Sequence, residues 1–417
     1  MKQITRYKRS ALAVSMIICC GFLLTQCINR QNDKTAVAAK VNFKQFAGSA
    51  ACANCHKDIY NTHIKTAHYR TSQPASATTI KGSFEPGKNS FSYNMASMIN
   101  MEKRDGKFYQ VAYTNGIEKE AHPFDIVIGS GTKGQTSLYW NNNQLFQLPI
   151  SYFTAAGQWS NSPGYRQRAS FDRPISARCM ECHSTYIHSV SADGVQPEEY
   201  DKASLLYGID CERCHGPGTE HVAFQLQHPE EKKAKYIINP VSLSRQQQLD
   251  ACALCHNGRS KNIKPSFEFV VGNNLREFFV QDTARPNPDN VDVHGNQYGL
   301  LRASKCFRMS ETMTCNTCHN PHQNERDKVE VFSQRCLGCH NTTEHGNGKI
   351  CKMTASLGNA ITANCVDCHM PAKPSKAIVV FLPGATAPVS AYVRSHFISI
   401  YPDETKKFMD GNKAVIQ

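Results

Sequence analysis

The motif C-x-x-C-H occurs seven times, at Cys52/Cys55/His56, Cys179/Cys182/His183, Cys211/Cys214/His215, Cys252/Cys255/His256, Cys315/Cys318/His319, Cys336/Cys339/His340 and Cys365/Cys368/His369. With 19 Cys and 17 His among 417 residues, chance would supply far less than one copy. Two thiols at this spacing, on one turn, can add across the two vinyl groups of a haem. The adjacent imidazole is then held beneath the porphyrin as the proximal iron ligand. Structural zinc asks instead for thiolate pairs converging on one ion, usually with histidines three to five residues apart. A thioredoxin-like dithiol needs one C-x-x-C beside a βαβ unit, not seven scattered copies. The pattern therefore implies seven covalently attached c-type haems, anchored by the motif cysteines and ligated by the seven motif histidines.

Covalent haem of this kind is attached outside the cytoplasmic membrane, and the N-terminus agrees. Lys2, Arg6, Lys8 and Arg9 precede an apolar run from Ala11 to Leu24 that is short for a membrane span. Residues 1–27 read as an export signal, and "LLTQC" resembles a lipobox with Cys27 as the lipidated residue. An uncleaved N-terminal anchor is the alternative. Residues 28–45 are polar and small, a tether. The formal charge is +13; residues 1–26 contribute four of its basic groups and no acidic one, which leaves +9. Each ferric haem with two propionates adds about −1, so seven bring the loaded chain near neutrality. Nucleic-acid binding is thereby disfavoured. A mean hydropathy of −0.47 also suits a chain whose porphyrins supply much of its apolar interior.

The spacing of the motifs divides the chain. A first haem module covers residues 46–82, a cysteine-free stretch follows, and a six-haem body occupies residues 179–372. The stretch between differs in texture: "SFSYNMASMINMEKRDGKFYQVAYTNG" alternates about a turn at "RDG", and "TSLYWNNNQLFQLPIS" turns at Asn141–Asn143. Residues 83–153 read as a small antiparallel β insertion, residues 154–178 as a connecting loop, and residues 373–417 as an extended tail packed back on the body. Gly129, Gly131 and Gly134 satisfy G-x-G-x-x-G, but strand and turn rather than a helix follow, so a tight turn is the better reading than a nucleotide site. The expected fold class is mainly α with long loops, packed around haems.

Ten histidines lie outside the motifs, enough to give every iron a second imidazole. His68, His188, His221 and His322 follow motifs closely. The chain leaves a haem on its proximal side, so each is placed to reach a neighbouring haem rather than its own. His294 and His396 are further distal candidates, because imidazole suits haem iron. The fourth motif has no extra histidine near it, which makes it a weak candidate for an open site. After the motif cysteines, and Cys19, Cys20 and Cys27, only Cys306 and Cys351 remain. In an oxidising compartment they suggest a disulfide, with free buried thiols as the alternative.

"GSAACANCHKDIYNTHIKTAHY" resembles the opening module of the cytochrome c-554-like multihaem family, and "GIDCERCHGPGTEHV" its internal haem module. "CNTCHNPH" and "CVDCHMP" are similar to endings in the wider hydroxylamine-oxidoreductase-like group. The resemblance spans roughly residues 46–75 and 177–372. It implies a mostly α, haem-packed fold with distal ligation at His68, His221 and His322. The β insertion departs from the smallest members, and no C-x-x-C-K of the pentahaem nitrite-reductase kind occurs.

Two functions are compatible with these residues. The first is electron transfer through mostly bis-histidine haems, between a membrane quinol-oxidising complex and an acceptor or redox partner, by a lipid-anchored chain, single or oligomeric, exposed to the periplasm or cell surface. The second is an oxidoreductase acting on a small nitrogen or sulfur species at one open haem. His122, Tyr165, Arg166 and Arg168 are its acid–base and anion-binding candidates. Their alternative roles are ordinary turn and propionate contacts.

Overall fold

The computed structural model describes residues 41–165, 168–191, 194–258, 260–280, 286–340, 351–353, 358 and 360–416. Type I′ turns, in which both central residues adopt positive φ, fold the cysteine-free stretch. Asp105 (φ 48°) and Gly106 (φ 77°) join β3 (Ser97–Arg104) to β4 (Lys107–Thr114). Asn115 and Gly116 (φ 50° and 76°) join β4 to β5 (Ile117–Pro123). With β2 (Ser90–Ser92) these strands form a four-stranded antiparallel sheet.

A second sheet, of seven strands, lies against it. It comprises β1 (Ser72–Pro74), β6 (Ile126–Ile128), β7 (Gly134–Asn141), β8 (Gln144–Gln147), β9 (Ile150–Phe153), β10 (Gln158–Asn161) and β11 (Arg173–Pro174). The glycine run at residues 129–134 is the turn between β6 and β7. Phe91, Ile99, Met101, Ala112, Tyr139, Ile150 and Trp159 point from both sheets into one core. Gln110 is buried on β4; it donates to the Ile150 carbonyl (2.7 Å) and accepts from the Ile150 N–H (3.1 Å), bolting the sheets together.

The sheets reach outside residues 83–153 at both ends. Two hairpins lie in the motif-bearing half: β12 (Ser184–Ser189) with β13 (Tyr200–Tyr207), and β14 (Ala372–Val380) with β15 (Val389–Arg394). Strand accounts for 25% of the chain and helix for 28%. The expectation of a mainly α fold is therefore wrong: this is a mixed α/β chain with several antiparallel sheets. The physical reason is local. β12 starts at the residue after His183, and a register shift interrupts its alternation, so a motif turn and a strand merge in one short run.

The motif-bearing half also has a protein core of its own. Leu249, Ala253 and Leu254 on the helix Arg245–His256 pack with Phe269, Leu275, Phe278, Phe279, Tyr298 and Phe307. The tail returns to the body: the His369 imidazole contacts the Ser399 carbonyl at 2.8 Å, and Ser304 Oγ donates to the His396 carbonyl at 3.1 Å. A helix, Pro402–Ile416, ends it. Among the described residues no helix is long and apolar enough to cross a membrane.

The β body and the first motif region meet at Gly208. Its φ is +67°, its N–H donates to Ser72 Oγ (2.9 Å), and a Cβ there would lie 2.1 Å from the Tyr69 carbonyl oxygen. Gly208→Ala is expected to cost about 1–3 kcal/mol through overlap and backbone strain. Thermal unfolding of the mature protein checks this, with Gly106→Ala, whose Cβ meets nothing within 4 Å, as the comparison that carries strain alone.

Candidate functional site

Residues i, i+3 and i+4 share one face of a helical turn. The motifs use that geometry. The histidine N–H returns to the first cysteine carbonyl at 2.9 Å in the first motif, 3.0 Å in the fifth and 3.1 Å in the seventh. The third motif is a helix of its own, Cys211–His215, capped by Asp210, which accepts from the Cys211 N–H at 2.8 Å. The fourth and sixth close the helices Arg245–His256 and Val329–His340. Two thiols and an imidazole thus project together from each of these turns.

The ring nitrogens are oriented by the surrounding chain. His215 Nδ1 lies 2.9 Å from the Ile238 carbonyl, His369 Nδ1 2.8 Å from that of Ser399, and His256 Nδ1 3.0 Å from Gln297 Oε1. A carbonyl can only accept, so Nδ1 carries the proton and Nε2 keeps its lone pair for a metal. His183 Nδ1 contacts Thr71 Oγ1 at 3.1 Å, and the distal candidate His221 contacts the Lys235 carbonyl at 2.8 Å.

The histidines come in facing pairs. Ring centroids of His68 and His256 are 6.1 Å apart, those of His215 and His322 6.0 Å with planes within 14°, and those of His319 and His396 6.0 Å. Such distances are long for face-to-face stacking. Two metal–nitrogen bonds of about 2 Å, plus the two ring radii, come to about 6 Å, so each gap has the width of an iron site. His294 is the charged neighbour that most affects His183. Burial lowers the pKa of His68, His183 and His396 to about 4, and a neighbouring imidazole, His256, His294 or His319 respectively, adds to the effect. All three are neutral at pH 7, as ligation requires. Yet His68, His294 and His319 are exposed by surface area, although burial dominates the lowered pKa of each. Rings enclosed by protein yet reachable by solvent line voids, and such a cradle fits a haem. His63 Nε2, Arg213 Nε and His396 Nδ1 are buried without a hydrogen-bond partner beside the same motifs.

The motifs also touch through their thiols. Cys52 pairs with Cys211, Cys182 with Cys255, Cys252 with Cys315, and Cys336 with Cys365. In each pair the shared hydrogen bond is the largest influence, lowering one thiol (Cys52, Cys182, Cys315, Cys365) and raising its partner. Among the described residues, no three His, Cys, Asp or Glu side chains converge as a structural zinc site would need.

Cys55 is exposed, whereas Cys52 of the same motif is half-buried; Cys179 and Cys339 are exposed as well. The physical reason at the first motif is the end of the helix Ser49–Ala53 before Cys55 is reached. The Cys55 N–H returns to the Cys52 carbonyl at 3.2 Å, so the turn that carries this thiol follows directly on that helix.

Comparison with known proteins matches this geometry. Residues 153–216, which hold the second and third motifs, match the family described as cytochrome c554 and c-prime. A C-type polyheme cytochrome, OmcC of Geobacter sulfurreducens, is 24% identical over 172 residues. The chain is a multihaem c-type cytochrome. The OmcC match covers 37% of this cytochrome and only 21% of OmcC, so the chain spans about a fifth of that relative. Its fold is similar to the crystal structure of the outer cell wall cytochrome OcwA, with a TM-score of 0.50, 16% identity, and coverage of 87% of this chain and 81% of that one.

Not every candidate joins this arrangement. The fourth motif, considered for an open site because no histidine follows it in sequence, faces His68 brought from the first module. His188 is exposed on β12. His122 sits in the β body against Glu120, Tyr139 and Phe171, and the Tyr165 hydroxyl donates to the Gln147 carbonyl at 2.6 Å. Arg168 is exposed; Arg166 and Cys27 lie outside the described residues. Cys306 is half-buried in the electrostatic neighbourhood of Cys318, Cys336 and Cys339, whereas Cys351 is exposed and neighbours Cys368. Sequence reading passed over the carboxylates between the motif cysteines. Glu212 accepts from the N–H groups of Ala47 (2.8 Å), Gly48 (2.9 Å) and Gly218 (2.7 Å), clamping the third motif to the approach of the first.

Proposed function

We propose that the cytochrome carries one haem on each of its seven motifs and passes electrons between them. The facing histidines carry this reading. His256 with His68, His215 with His322, and His319 with His396 would supply both imidazoles at three of the sites, and His294, within electrostatic reach of His183, is the candidate for the second motif. His56 and His221 both lie within electrostatic reach of His215, which makes His221 the candidate for the first motif. Bound haem supplies the one-electron couple, and bis-imidazole ligation places it at low potential. The protein fixes the tautomers, keeps the imidazoles neutral, and brings the motifs side by side at the four cysteine pairs.

Export by residues 1–27, a lipid on Cys27 and a tether over residues 28–45 would hold the cytochrome outside the cytoplasmic membrane. A membrane quinol-oxidising complex is the donor proposed for it there. A Cys306–Cys351 disulfide would clamp the fifth and sixth haem segments together. The acid–base candidates His122 and Tyr165 find their partners within the β body, so these two side chains lend the oxidoreductase reading no support. Anaerobic reductive titration of the mature protein, with its intact mass measured in parallel, tests the proposal. Seven haems by mass and uptake of seven electrons per chain are expected; fewer of either contradicts it.

A further inference from the structure

The residues between the cysteines of the second and third motifs are charged, and they meet. Glu181 is fully inaccessible. Its Oε2 accepts from Arg178 Nη1 at 2.9 Å, its Oε1 accepts from the Phe267 N–H at 2.8 Å, and the Arg213 guanidinium lies 3.6 Å from Oε1. Arg213 Nη2 also donates to the Glu181 carbonyl at 3.2 Å, while Arg178 Nη2 donates at 3.1 Å to the Leu254 carbonyl within the fourth motif. The two guanidinium groups rest on aromatic faces, Arg213 on Phe267 (5.3 Å) and Arg178 on Phe279 (4.5 Å).

Arginine stays protonated in proteins, so two guanidiniums and one carboxylate leave the cluster at +1. Its place matters more than its charge. Arg178 Nη1 lies 3.5 Å from Cys182 Sγ, and Cys182 hydrogen-bonds Cys255. The Arg213 charge acts on Cys182, Cys214 and Cys255 alike, one anchor each from the second, third and fourth motifs. Only 8% of the Arg213 side chain is exposed, so solvent screens it little.

We propose that the buried Arg178–Glu181–Arg213 cluster sets the redox poise of the haems on the second, third and fourth motifs, its net positive charge holding electrons where those motifs meet. The inference rests on the reading that these motifs carry haem. Reduction adds one electron to one ferric iron and lowers the charge of that site by one. A fixed positive charge nearby therefore favours the ferrous form, and removing it lowers the potential. Removing the Glu181 charge acts in the opposite direction.

Potentiometric titration of the mature, full-length protein with dithionite as the reductant tests this, with haem content followed by intact mass. Arg213→Gln and Arg178→Gln are each expected to move the components assigned to this group about tenfold toward the ferric form at a fixed potential, which is 59 mV for a one-electron couple. Glu181→Gln, which keeps an acceptor for the Phe267 N–H, is expected to move them the other way, and Arg213→Lys to leave them in place. Shifts of one sign for all neutral variants, or none with haem content complete, overturn the proposal. If Arg213→Gln fails to mature, the opposite signs of Arg178→Gln and Glu181→Gln still decide it. Loss of haem from every neutral variant would show a folding clamp instead and would also overturn it. A wild-type mass short of seven haems would fault the haem assignment separately.

Discussion

Replacing His68 by alanine will leave the haem count unchanged and turn one low-spin iron high-spin. The imidazole sits 6.1 Å from that of His256, centroid to centroid, while the fourth-motif thiols and His256 remain to anchor the haem. Only the distal ligand is lost. One iron in seven should then show a high-spin ferric signal and bind cyanide, at undiminished intact mass. The same segment ties the first module to the helix Arg245–His256, so the melting temperature should fall as well. A spectrum indistinguishable from wild type would remove His68 from the fourth site and return that haem to the position of open-site candidate.

The second large effect comes from the fourth motif's anchors. Cys255 meets Cys182 and Cys252 meets Cys315, so this motif stands between the second and the fifth. Cys252→Ala with Cys255→Ala is expected to lower the intact mass by one haem and the electron uptake by one in seven. Rapid mixing with a reductant should then split a continuous reduction into two phases, as electrons entering on one side no longer cross. Helix Arg245–His256 also carries Leu249, Ala253 and Leu254 into the core of this half, and an unfilled haem void beside that core should lower stability by several kcal/mol. Loss of one haem with reduction kinetics unchanged would place the electron path elsewhere.

The seven motifs were legible in the sequence because thioether attachment asks for two cysteines and a histidine within five residues. The pairings were not. His68 meets His256, and His319 meets His396, across long stretches of chain, and proximity in sequence gave the wrong guide at the fourth motif. His188, six residues beyond Cys182, ends exposed on β12, whereas His396 arrives from the C-terminal tail. Turn chemistry was readable where residue types demand positive φ, at Asp105–Gly106 and Asn142. Strand content was underestimated because β12 and β14 begin within a few residues of motif histidines, where the haem pattern dominates the eye. Glu181 and Glu212 were invisible for a related reason. They occupy the variable positions of C-x-x-C-H, and only the folded chain shows which backbone groups and arginines they hold.

The pairing of imidazoles across haem-sized gaps is the claim on which the rest depends. Low-temperature EPR of the oxidised, mature wild-type protein tests it most directly. Low-spin ferric signals of bis-imidazole type accounting for at least three irons per chain are predicted, from the sites of His215, His256 and His319. A spectrum dominated by high-spin ferric iron would contradict the account.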